Sequence, residues 1–337
     1  MFRRAAAVLL VLASACGDDA SMSSPDASAD AAGDAAPGTC DVGAGWTTAP
    51  AVRGGAIQET AVVAVDGKIY VLGGFDGSIA VVRSVRVFDT QSCTWSDGPP
   101  LPKAVHHANA AVADGTIFVL GSMETTSFTA IGDVWAWKPA TETAWTVKAS
   151  MPAGSQRGAA VAGAIAGRIY VAGGLRGGAQ TTLSAYDIAN DSWDTALPAL
   201  PVARDHGCGG VVGGKLYVVG GRSASITSQS NLVYEYTPGG TWALRAPMPT
   251  ARGGTACGVT ADRIVTVGGE GNGMAASGVF PQVEVYDVAG NTWSALPDMK
   301  TPRHGTGGAV WNGVLYVPGG ADQQAFGAVD THEALKL

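Results

Sequence analysis

A unit of about 50 residues recurs six times between residue 40 and the C-terminus, and few folds accept that. Each copy carries a β-branched or aromatic run ending in a glycine pair. The runs are Ile69–Gly74, Ile117–Ser122, Ile169–Gly174, Leu216–Gly221, Ile264–Gly269 and Leu315–Gly320, and their first glycines lie 48, 52, 47, 48 and 51 residues apart. A tryptophan keeps the same period at Trp46, Trp95, Trp145, Trp193, Trp242 and Trp293, with steps of 49, 50, 48, 49 and 51. Two independent markers in one register describe a stack of identical supersecondary units, not two unrelated domains.

Each unit reads as four short strands. In the fourth, Gly207–Val212 is strand a, Gly213-Gly214 a two-residue hairpin and Lys215–Val219 strand b. Leu232–Tyr236 is strand c, Pro238-Gly239-Gly240 the next turn, and Thr241–Leu244 strand d. The other a-to-b turns are Asp66-Gly67, Asp114-Gly115, Ala166-Gly167, Ala261-Asp262 and Asn312-Gly313, nearly all able to take the positive φ of primed turns. The 48 glycines and 15% charged residues agree with many tight turns around a large core.

These residues resemble kelch repeats, whose units carry a double glycine, a tyrosine before an acidic residue and a spaced tryptophan. Val85–Asp89, Leu183–Asp187 and Val283–Asp287 match the third-strand motif, and proline-containing segments precede a basic residue at Lys103, Arg204, Arg252 and Arg303. Departures are Ser122 for a second glycine, Trp137-Lys138 for the Tyr-Asp pair and Val265 for a tyrosine. The resemblance implies an all-β, six-bladed kelch-type β-propeller over residues 40–337. Trp46 precedes the first glycine pair and no equivalent follows the sixth, so the last blade should be closed by the N-terminal strand around Trp46. Residues 44–48 would add to Gly305–Trp311, Val314–Val317 and His332–Leu337, leaving no open edge.

The first 15 residues have the form of a signal peptide: Arg3 and Arg4, an apolar run Ala5–Ala13, then small residues before Cys16. Small residues directly before a cysteine resemble the bacterial lipobox, which implies Cys16 as a lipid anchor and membrane attachment through that lipid alone. Ala13 stands where that pattern prefers leucine, and cleavage after Ala15 with plain secretion is the other reading. Residues 16–39 carry five aspartates and no aromatic residue, too little apolar surface to offset ordering entropy, and are expected to be a tether some 25 to 30 Å long. The net charge of −7 argues against nucleic acid, whose recognition needs clustered Lys and Arg.

Cys40, Cys93, Cys208 and Cys257 remain, an even number in an exported chain. Cys208 and Cys257 fall on innermost strands of neighbouring blades with opposite parity, so they can form a disulfide or lie buried as thiols. Cys40–Cys93 follows by elimination.

Candidate ligand-binding residues lie where d-to-a loops meet the channel. Arg157, Arg204, Arg252 and Arg303 all stand 16 residues before a first glycine, and the next two positions supply Glu59, His106, His107, Asp205, His206 and His304. One reading is a polar cup whose arginines grip a carboxylate bidentately while histidines and acids orient hydroxyls. The other is that the arginines pack across to the neighbouring blade and bond loop carbonyls. The b-to-c loops add Asp76, Glu124, Arg176, Arg222, Glu270, Asn272 and Asp322. Histidines on alternate blades are expected to stand too far apart to share a metal, and no cofactor is expected.

Two functions compete. The first is a surface-displayed binding module for a protein segment or glycan, acting through the loop face. The second is an exported isomerase resembling the six-bladed kelch mutarotases of sialic acid, with Glu59 and His206 as acid and base and Arg204 and Arg252 on the carboxylate.

Overall fold

The computed structural model describes residues 40–337; the expected signal peptide, the Cys16 anchor and the tether lie outside them. Six four-stranded antiparallel sheets follow one another. Blade 1 comprises Ala61–Val65, Lys68–Leu72, Val85–Asp89 and Thr94–Asp97; blade 2 Ala110–Ala113, Thr116–Glu124, Thr129–Trp137 and Thr146–Lys148. Blade 3 comprises Val161–Ile165, Arg168–Ala172, Leu183–Asp187 and Ser192–Asp194; blade 4 Cys208–Val212, Lys215–Val219, Val233–Tyr236 and Trp242–Arg245. Blade 5 is built from Ala256–Val259, Arg263–Val267, Val283–Asp287 and Thr292–Leu296.

Blade 6 takes Ala309–Trp311, Val314–Pro318 and His332–Lys336 from the end of the chain and Trp46–Ala49 from its beginning. The closing strand runs one residue further than residues 44–48, pairing Trp46 with Leu335 and Ala49 with His332. The inner strand is shorter than Gly305–Trp311, because residues 305–308 serve the channel mouth instead.

The glycine pair exists because blades touch there. A Cβ on Gly173, whose φ is +66°, would lie 2.6 Å from the carbonyl oxygen of Arg204 in the next blade's loop. One residue on, the Gly174 amide donates to that same oxygen at 2.7 Å, and Gly221 and Gly269 repeat the bond to Arg252 and Arg303. Blade 2 has Ser122 at the second position, so its strand continues as a long ribbon to Glu124. Asn109 Nδ2 replaces the missing bond by donating to Arg157 O at 2.8 Å.

The periodic tryptophans work at the outer edge. Each indole donates to a carbonyl of the preceding blade, as Trp193 does to Ala149 at 2.8 Å and Trp46 to Pro297 at 2.9 Å. Several also pack on the third-strand aromatic, with Tyr186–Trp193 centroids 5.4 Å apart. Five of the six are half-buried for this reason; Trp135, off the period, is 1% exposed.

The primed turns form as expected except in blade 5. There Ala261 and Asp262 keep negative φ, and the Thr260 hydroxyl accepts from the Asp262 and Arg263 amides. Both disulfides are present, Cys208–Cys257 between inner strands of blades 4 and 5, and Cys40–Cys93 between the closing segment and blade 1. Cys93 occupies the position where Asp191 and Asn291 reach back to the Ala149 and Ala246 amides of the previous blade. A covalent bond thus does at the seam what a hydrogen bond does elsewhere.

Candidate functional site

The channel mouth is organised by a closed ring of backbone hydrogen bonds. Ala159 N donates to His107 O at 2.8 Å, His206 to Ala159 at 3.0 Å, Gly254 to His206 and Gly305 to Gly254 at 2.9 Å each. His107 N donates to Glu59 O at 3.0 Å, and Glu59 N to Gly305 O completes the circle. All six residues have left-handed φ, between 50° and 68°. Glycine takes that conformation freely at 254 and 305, whereas Glu59, His107 and His206 accept a strained backbone. Their side chains border both the cavity of the central channel, about 530 Å³ and walled by Ala, Gly and Val, and an outer cup of about 220 Å³.

At this neck His107 Nε2 is 2.9 Å from Glu59 Oε2, and one donor atom from each of Glu59, His107 and His206 lies within 4.8 Å of the other two. Blades 2 and 4 therefore bring their imidazoles together. The expectation that alternate blades hold them too far apart is wrong, because left-handed residues direct side chains inward across the mouth.

Each imidazole is oriented by a second partner. His206 Nδ1 donates to Asp205 Oδ1 at 2.6 Å, and His106 Nε2 to Thr125 O at 2.9 Å. His107 Nδ1 meets His106 Nδ1 at 2.5 Å, and His304 Nε2 donates to Gln323 O at 3.0 Å. Arg222, from a b-to-c loop, bridges Glu270 Oε1 at 2.6 Å and Asp205 Oδ1 at 3.4 Å.

Burial works against the Glu59 charge, yet His107 foremost, with His304 and His206, holds its carboxyl well below the usual range. Burial pushes His206 down and His106 to about 4, keeping both neutral at pH 7. Glu59, Asp205 and Glu270 against the single Arg222 leave the floor acidic and rich in acceptors.

The arginines are elsewhere. Arg157, Arg252 and Arg303 are at most 1% exposed and Arg204 5%, each folded into its own blade. Arg157 donates to the carbonyls of Ser155, Val171 and Gly173 at 2.6 to 2.7 Å; Arg252 pairs with Glu284 and Arg303 with Glu333, both at 3.0 Å. Arg204 reaches Ser230 Oγ at 2.6 Å. They bond carbonyls as the second reading held, but within a blade and not across to its neighbour. The carboxylate clamp expected from the sequence does not form, because these arginines are buried and spent on their own blades, and with it the sugar-acid isomerase loses the groups that would hold its substrate.

What the repeats did not reveal is the apolar collar of the cup: Phe128, Leu175, Ile226 and Phe326. Phe128 sits at the tip of the long blade 2 ribbon, its ring 5.2 Å from that of His107. The extended strand after Ser122 was the available signal. Arg222 and Glu270 were visible only as loop charges.

The family described as the KLHDC2/KLHL20/DRC7 Kelch-repeats domain matches residues 46–221, and the Kelch motif matches 203–249 and 251–300. The Kelch-like protein terF of Aspergillus terreus is 36% identical over 296 residues, covering 82% of this chain and 64% of its own length. Kelch-like protein 35 of Mus musculus is 33% identical, covering 52% of this chain and 29% of its own length. Kelch repeat and BTB domain-containing protein 1 of Ectromelia virus is 31% identical, covering 53% and 31%. The chain thus spans just under two thirds of the first relative and about a third of the others. With six closed blades and more than half its length matched, the chain belongs to the kelch-repeat propeller family.

Proposed function

We propose that this chain is an exported, surface-displayed binding module that holds a protein segment on its loop face. The carrying observation is the collar of apolar side chains, Phe128, Leu175, Ile226 and Phe326, around the polar cup. Met274 is 97% exposed, Ile79 42% and Phe326 41%, all on b-to-c loops, and Phe326 also lines the cup with Phe128 and Ile226. Apolar anchors around a polar recess are what a protein interface offers, with the recess selecting one inserted side chain. The acidic floor favours a donor-bearing group such as lysine or arginine. Kelch propellers commonly serve as protein-binding modules, and two disulfides agree with an oxidising compartment.

Selection of a random displayed-peptide library on the purified protein, in parallel with a glycan array, tests this. Enriched peptides carrying a basic residue beside apolar ones, lost on Phe326→Asp, are expected. Glycan binding with no enriched peptide would overturn the protein-segment reading.

A further inference from the structure

We propose that the neck is a binding site for one divalent transition-metal ion, with Glu59, His107 and His206 as ligands. The argument is one of lone pairs. His106 gives its Nε2 proton to Thr125 O, so its Nδ1 can only accept, and it accepts from His107 Nδ1. With its Nδ1 turned to His106, His107 directs its Nε2 at the Glu59 carboxylate, 2.9 Å away. His206 gives its Nδ1 proton to Asp205, which leaves its Nε2 bare.

His304 supplies an independent observation. Its Nε2 is spent on Gln323 O, and its Nδ1 is buried with no hydrogen-bond partner, 3.8 Å from Glu59 Oε1 and 3.7 Å from Glu270 Oε1. Ring nitrogens of His107, His206 and His304 thus converge on the Glu59 carboxylate, and a buried polar atom left without a partner, as His304 Nδ1 is, is costly. A cation at the neck supplies the positive charge these groups face.

The geometry suits such an ion. With donor atoms no more than 4.8 Å apart, a point among Glu59, His107 and His206 lies within about 2.8 Å of each. A contraction of well under an ångström per ligand reaches the roughly 2.1 Å of a zinc–nitrogen bond. Imidazole with carboxylate selects a borderline ion of the zinc, iron or nickel type over calcium or magnesium. The outer partners are also in place: Asp205 on His206, itself bridged by Arg222, and His106 on His107. The site stands on the neck alone and does not depend on what docks on the collar.

The test is isothermal titration of untagged, chelator-stripped protein with ZnCl₂ alone. One ion per chain is expected, with at least a hundredfold weaker binding in Glu59→Gln and in His206→Ala. Asp205→Asn, which keeps every ligand, should weaken it tenfold to a hundredfold, an effect of lost orientation. Cooperative melting of each variant establishes that it is folded, and Glu59→Gln, nearly isosteric, answers the question if His206→Ala is not. No binding tighter than millimolar, or equal affinity in wild type and Glu59→Gln, would overturn the proposal and leave a proton on His107 as what reconciles the pair.

Discussion

Replacing Arg303 by leucine should destabilise the protein severely while leaving the cup intact. The guanidinium is 1% exposed, donates to Thr331 O at 2.8 Å and Val317 O at 3.2 Å, and pairs with Glu333 at 3.0 Å. Burial drives its pKa down to about 10, with Glu333 working to hold it up. The variant strands a carboxylate that is 2% exposed and removes donors from two buried carbonyls, a change expected to cost about 3–5 kcal/mol. Arg303→Leu/Glu333→Leu removes both charges, so it should be much less destabilised than the sum of the single variants, with a coupling of about 2–3 kcal/mol. Urea unfolding at pH 7.5, with midpoints compared at constant slope, measures all four proteins. A loss below about 1 kcal/mol for Arg303→Leu, accompanied by lost ligand binding, would refute the structural assignment and return the arginines to the binding surface.

Other outcomes follow from the same structure. Burial holds His332 down at about 3, whereas the unfolded chain binds that proton near 6.5, so stability contributed by its neutral form falls as pH drops from 6.5 toward 3. Between pH 6.5 and 5 this amounts to about 2 kcal/mol, read as the difference in pH slope between wild type and His332→Gln. Cys40→Ser/Cys93→Ser opens a loop with sequence separation 53 and should cost up to about 4 kcal/mol in urea melts, an effect that reducing agent reproduces in wild type. Gly173→Ala, with φ +66° and the Arg204 carbonyl in its way, should cost more than about 2 kcal/mol by the same assay, whereas Ser122→Gly should stay within about 1. Deleting residues 40–50 should abolish folding, since it removes both Trp46–Ala49 and Cys40 from the seam; a cooperative thermal transition in the deletion would contradict the closure.

Much of the architecture is readable from spacing, because a repeat imposes its geometry wherever the marker falls. The six glycine pairs, the closure by Trp46 and the facing of Cys208 and Cys257 follow from register, whereas Cys40–Cys93 follows only by elimination. Side-chain direction follows from neither. The position 16 residues before each first glycine aligns across blades, but spacing alone does not say whether an arginine there faces the channel or folds into its own blade. Two residues later every blade holds a left-handed residue, which Gly254 and Gly305 signal and Glu59, His107, Ala159 and His206 conceal. The same conformation swings imidazoles from different blades into contact, which a distance argument from blade spacing could not anticipate. Phe128 and Phe326 lie in loops that vary from blade to blade, where no repeat constrains a prediction.

The proposed function makes the loop face the working surface of this propeller. Peptides selected on the wild-type protein should be titrated against Phe326→Asp and Met274→Asp on that face and against Leu244→Asp, 62% exposed on the outer edge of blade 4. At least tenfold weaker binding to the two loop-face variants and unchanged binding to the edge variant are expected. Binding lost in Leu244→Asp and retained in the other two would place the working surface on the blade edge and contradict it.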